Sequence, residues 1–121
     1  MHIQESGEMY LETIFVLSKE RDIVRSVDVA EHLCYSKPSV SRAIGLLKNG
    51  GYVTVDSDGY LALTADGREV AKRVYERHRL LTDFFVTLGV DEDIASADAC
   101  KVEHVLSDET FEAIKRHVGE K

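Results

Sequence analysis

The run Ser26-Val-Asp-Val-Ala-Glu-His-Leu-Cys-Tyr-Ser-Lys-Pro-Ser-Val-Ser-Arg-Ala-Ile-Gly-Leu-Leu-Lys-Asn-Gly-Gly51 is the most informative part of the chain. Val27, Ala30 and Leu33 form the apolar face of a short helix over residues 27–33, with Ser26 as its N-cap. Cys34-Tyr35-Ser36 leaves room only for a tight connection. Pro38, the only proline, then opens a second helix, where its missing N–H is not needed. Val40, Ile44 and Leu47 line the inward face of that helix, with Ala43 beside them. Ser39, Ser41 and Arg42 fall on another face. Asn49-Gly50-Gly51 stops it.

Upstream, Ser6 precedes a helical pattern in which Tyr10, Ile14 and Leu17 recur at i, i+4 and i+7. Glu8 and Glu12 sit near its start, where the helix dipole favours acids. Downstream, Tyr52–Val55 and Tyr60–Leu63 alternate in polarity around Asp58-Gly59, which predicts a β-hairpin. Thr64 then caps a long helix ending at Gly89, with Val70, Val74, Leu81, Phe84, Phe85 and Leu88 as its apolar surface. A further helix is expected from Asp91 to Leu106. A last one follows the Ser107-Asp108-Glu109 cap, with Phe111, Ile114 and Val118 on its apolar face.

The expected class is therefore mainly α with a small hairpin. An N-terminal winged helix-turn-helix (1–72) precedes a helical domain (73–121). In a winged helix-turn-helix the second helix of the pair presents its polar face to the major groove. Here that face and its N-terminal end carry Ser36, Lys37, Pro38, Ser39, Ser41 and Arg42. Hydroxyls, cations and a helix N-terminus suit phosphates and base edges. Arg25 and Lys48 flank them as expected phosphate contacts. Helix capping alone accounts for Ser36, solvation alone for Arg42, and a winged helix can also bind protein.

The chain has 121 residues, a composition ordinary for a folded domain, and a formal net charge of −7. That balance taken whole argues against nucleic acid. By segment it does not. Residues 1–20 hold one lysine against four glutamates, residues 21–82 hold ten Lys and Arg against eight acids, and residues 83–121 hold four against ten. A mildly basic middle lies between acidic ends. No run approaches the ~18 apolar residues of a membrane span, and nothing at the N-terminus reads as a signal peptide. Cys34 and Cys100 do not make a disulfide framework. A cytoplasmic protein without membrane partners is expected.

Cys100, Glu103 and His104 stand at i, i+3 and i+4, so one helix would place thiolate, carboxylate and imidazole on one face. That donor mixture suits a transition metal. Met9 and Glu12 form a second i, i+3 pair, and His78 stands on the long helix between Arg77 and Arg79. Taken singly, each has a plainer reading. A lone cysteine or methionine commonly fills a core, and Glu-His neighbours are common on helices.

Asp98-Ala-Cys-Lys-Val-Glu-His-Val-Leu-Ser-Asp-Glu109 resembles the metal-binding signature of the diphtheria toxin repressor family. Glu8–Ile14 resembles that family's first helix, Val29–Ser41 its helix-turn-helix, and Arg77–Leu81 the start of its dimerisation region. The resemblance runs in order through essentially the whole chain. It implies a homodimeric, metal-activated transcriptional repressor of iron or manganese homeostasis genes, acting on palindromic double-stranded operators. Met9, Cys100, Glu103 and His104 match the primary metal site of the iron-responsive branch. Glu12 and His78 match ligands of a second site in the manganese-responsive branch, where carboxylates replace the Met9 and Cys100 donors. Sulfur donors favour Fe(II) and also accept Co(II), Ni(II) or Zn(II), whereas oxygen donors suit Mn(II).

The chain departs from the iron branch in two respects. Thr82 and Ser96 stand where that branch has a glutamate and a histidine of an ancillary site, which therefore cannot form as such. The chain also stops at Lys121, like short members without the SH3-like domain. Leu80, Leu81, Phe84, Phe85 and Val105 are expected at the dimer surface. Competing readings are a metal-independent winged-helix regulator, a Cys34–Cys100 redox pair and a metalloenzyme. No nucleophile–base pair or Gly-rich phosphate loop supports the last, so an enzyme is not expected.

Overall fold

The computed structural model describes residues 5–119. Its elements are α1 (Glu5–Glu20), α2 (Ser26–Leu33), α3 (Lys37–Asn49), β1 (Val53–Val55), β2 (Leu61–Leu63), α4 (Ala65–Thr87), α5 (Glu92–Val102) and α6 (Asp108–Gly119). The mainly helical class with one small hairpin is thus observed. Two compact units, Met1–Lys72 and Arg73–Lys121, divide the chain inside α4.

The first unit is organised by apolar period. Leu11 and Ile14 of α1, Val29 of α2 and Val40 of α3 are fully buried, and Val53 and Leu61 of the hairpin join the same cluster. α1 packs against α2, α3 and β2, and α3 packs against β1. Two helix starts differ from expectation. α1 begins at Glu5, so Ser6 lies inside it. The N-cap of α2 is Arg25, not Ser26, because the Asp28 carboxylate accepts the Arg25 backbone N–H at 2.9 Å and closes the turn one residue earlier. α3 starts at Lys37 with Pro38 second, and its cap is Ser36, whose Oγ accepts from the Ser39 N–H at 3.3 Å.

β1 and β2 pair antiparallel in the register Val53↔Leu63, Thr54↔Ala62, Val55↔Leu61. Asp56 Oδ1 accepts the N–H groups of Asp58 and Tyr60, both at 2.9 Å, and Gly59 takes the positive φ of 82° that the turn requires. A bridge between Arg25 and Tyr60, with Leu61 N–H donating to Val24 O at 2.7 Å, ties the hairpin to the entrance of α2. Thr64 Oγ1 accepts from Gly67 N–H and donates to Gly51 O. Gly67 is needed there, since a Cβ would stand 2.0 Å from the Tyr52 carbonyl oxygen.

The second unit has a sparser apolar interior. Val74, Leu81, Ala95 and Ala99 are buried, while α6 buries no residue fully. Arg77 and Glu103 are buried among them. Leu81 is 0% exposed within the single chain, so it is a core residue and not the dimer-surface residue expected from sequence. Leu88 lies beyond the end of α4 and is exposed, rather than completing the apolar face of that helix. α5 ends at Val102, four residues before the expected Leu106. Just beyond that end, Arg77 Nη1 donates to the carbonyl oxygens of Glu103 (3.1 Å) and Leu106 (2.8 Å), groups that have no partner within the helix.

Candidate functional site

Glu103 is the centre of the second unit's polar cluster. It is 1% exposed, at the C-cap of α5 with αR backbone angles, so its side chain continues the helical spacing from Cys100 although the helix has ended. Glu103 Oε2 lies 3.0 Å from His78 Nδ1. His78 Nε2 in turn lies 3.2 Å from Ser96 Oγ, and the His78 carbonyl accepts from the Thr82 hydroxyl at 2.7 Å. Ser96 and Thr82 therefore bracket His78. They stand where the resemblance would have placed two ionisable ligands.

Glu103 Oε1 is buried and accepts no hydrogen bond among the described residues. His104 Nε2 stands 3.3 Å from it, without hydrogen-bond geometry. An unsatisfied buried carboxylate oxygen costs about 1–3 kcal/mol or more. A buried carboxylate with an imidazole nitrogen within 3.3 Å of each oxygen suits a divalent cation, and the donor set fits one. Cys100 is exposed on α5, which removes the reading of that thiol as a core filler.

The other sequence-predicted metal residues lie on α1. Met9 and Glu12 are both half-buried. The Tyr35 hydroxyl points at Met9 Sδ from 3.9 Å. Sequence reasoning missed Arg77, Ser96 and Tyr35. Arg77 carried a signal, since it interrupts the buried stripe Val74–Leu81 with a cation at helical spacing. Ser96 was marked only as a departure from the ancillary site, and Tyr35 carried no signal, because packing alone brings each to its partner.

On the first unit, Lys37, Pro38, Ser41, Arg42 and Lys48 are exposed along α3, which has no carboxylate of its own. Ser36 is exposed and donates to Ser39 Oγ at 2.8 Å, and Ser39 is half-buried, so this pair is committed to the cap. Arg25 is exposed. Its Nη2 donates to the Tyr60 hydroxyl at 3.2 Å, and its guanidinium lies 4.9 Å from that ring's centroid. The hydrogen bond to Tyr60, then its charge, raise the Arg25 pKa.

A helix pair with a cationic second helix, a hairpin wing, and a helical unit holding a carboxylate–imidazole cluster define a metal-responsive DNA-binding regulator. The comparisons with known proteins agree. Residues 2–61 match the iron dependent repressor N-terminal DNA binding domain, and residues 64–120 match the iron dependent repressor metal binding and dimerisation domain. The chain belongs to this family of metal-dependent transcriptional repressors. It is 36% identical over 115 residues to an HTH-type transcriptional regulator of Methanocaldococcus jannaschii, covering 93% of this chain and 92% of that one. It is 38% identical over 109 residues to the diphtheria toxin repressor of Corynebacterium diphtheriae, covering 87% of this chain and 47% of that one. A manganese-dependent transcriptional repressor solved in complex with manganese superposes with a TM-score of 0.87 at 31% identity, over 93% of this chain and 52% of that one. The chain thus spans nearly all of the first relative and about half of the other two.

Proposed function

We propose that this chain is an Fe(II)-activated homodimeric repressor of metal-homeostasis genes, acting on palindromic operators. The observation that carries the reading is the buried Glu103 carboxylate between two imidazoles, Oε1 at 3.3 Å from His104 Nε2 and Oε2 at 3.0 Å from His78 Nδ1. Cys100, Glu103 and His104 would hold the ion together with Met9 from α1, and Glu12 and His78 would serve a second one. Two sulfur donors in the first set favour Fe(II) over Mn(II). A bound divalent ion would supply positive charge to an acidic ligand set.

The chain's own residues account for the rest of the mechanism. Glu8 and Glu12 in the first unit and Asp98 and Glu103 in the second add to the acidic charge of the chain's two ends, which a bound cation would reduce. Holding both DNA-reading heads of a dimer at one spacing matters, because half-sites on one DNA face lie about 34 Å apart. A coupling of about 1–3 kcal/mol changes operator affinity by about 5- to 150-fold. Lys37, Ser41, Arg42 and Lys48 contact DNA, with Arg25 at the backbone beside the wing.

Mn(II) as the signal is the second reading. It is favoured by the 31% identity to a repressor solved with manganese. Anaerobic titration with Fe(II) and with Mn(II), followed by retention of sheared genomic DNA, separates the two. Wild type should retain DNA with Fe(II) and release it in excess chelator. Glu103→Gln should lose both the metal-dependent retention and the metal-induced rise in unfolding midpoint. DNA retention that is unchanged by chelator would sink the metal-activated reading.

A further inference from the structure

Arg77 is 8% exposed, an unusual place for a guanidinium. Its Nη1 donates to the Glu103 and Leu106 carbonyls, its Nη2 pairs with the Asp108 carboxylate, and its guanidinium carbon lies 5.0 Å from the Phe111 ring centroid. Asp108 itself is largely exposed, so the ion pair is only half of the explanation. The two carbonyl contacts are the informative ones. They satisfy the C-terminal end of α5 from a neighbouring helix, where a cation also complements the helix dipole.

Glu103 bears the first of those carbonyls, and His104, Val105 and Leu106 follow before the second. Backbone bonds from Val105 N–H and Leu106 N–H to Val102 O tighten the same turn. One rigid planar fork thus sets the path of the segment that presents both the Glu103 carboxylate and the His104 imidazole. We propose that Arg77 is a positioning residue for the metal cluster, acting through the backbone of residues 103–106. This rests on the metal-binding reading above. Nη1 serves both carbonyls while Nη2 of the same plane pairs with Asp108; lysine, with a single rotatable ammonium, cannot keep both carbonyls and that carboxylate in one planar arrangement.

The test uses Co(II) as the probe, titrated anaerobically into the full chain, with the ligand-field bands as a record of coordination geometry. Arg77→Lys should weaken Co(II) binding by about tenfold or more, as losses of outer-shell partners do, and should move the bands. Amide exchange at Val105 and Leu106 should quicken in the metal-free protein. Phe111→Leu keeps the cation but removes the ring beside it. It is expected to shift the bands in the same direction by less, and it serves as the test if Arg77→Lys fails to fold. A folded variant of either kind that is less stable but keeps wild-type Co(II) affinity and spectrum would overturn the proposal, leaving Arg77 a purely structural residue. Absence of Co(II) binding in the wild type would instead overturn the metal reading itself.

Discussion

The two units are held together by different kinds of interaction. In Met1–Lys72, apolar side chains from three helices and a hairpin converge on one cluster, and the polar groups work at the ends of elements. In Arg73–Lys121, fewer apolar residues are fully buried, and a buried arginine and a buried glutamate organise the connection between α5 and α6. Burial of apolar surface is non-directional and tolerant. Buried charge is directional and is stable only with its partners in place. The first unit is therefore specified by volume and period, and the second by a small number of particular atoms.

Core truncation probes that contrast most strongly. Leu11→Ala and Leu81→Ala each remove a fully buried side chain, one from each unit, and each should cost about 2–5 kcal/mol. Leu11 should stand at the upper end, since its densely packed neighbours cannot collapse into the space. Urea unfolding of both variants measures this, and a larger loss for Leu81→Ala would reverse the contrast. Next in size is the α3 cap. Ser36→Ala removes the acceptor for Ser39 N–H and should cost about 1 kcal/mol by the same measurement, with Ser36→Asp restoring most of it.

The smallest effect concerns pH. Burial, then the charge of Tyr35, raises the Tyr10 pKa above its ordinary value. The neutral phenol is thus favoured in the folded state. That contribution is complete below about pH 10, the unfolded pKa, and is lost as pH rises through the folded one. Tyr10→Phe should flatten the alkaline decline in stability. If the variant and wild type decline in parallel from about pH 9 to 11, Tyr10 is not the group responsible.

The legibility of the sequence follows the same division. Val40, Ile44 and Leu47 are buried on α3 as their spacing predicts, and the hairpin forms around Asp58-Gly59. Periods of 3.6 and 2 are local properties, so they are visible without a partner. The cap of α2 was misplaced because Asp28, three residues ahead, took the Arg25 N–H. Beyond α5, the Glu103 carbonyl is taken by Arg77, 26 residues earlier. The first partner is local, an acid at the third position of the helix; the second lies outside any local pattern.

By itself, then, the chain's order of residues determined the helix-turn-helix, the wing, the family and the residue types at the candidate metal centre. Tertiary structure alone decided that Glu103 is buried with one oxygen on His78 and the other beside His104. It also decided that Ser96 stands against His78, that Leu81 is core, and that Arg77 satisfies carbonyls at the end of α5. The reason is the range of the forces involved. Helical and strand periods arise between near neighbours in sequence, whereas a buried polar atom finds its partner only after distant elements have packed.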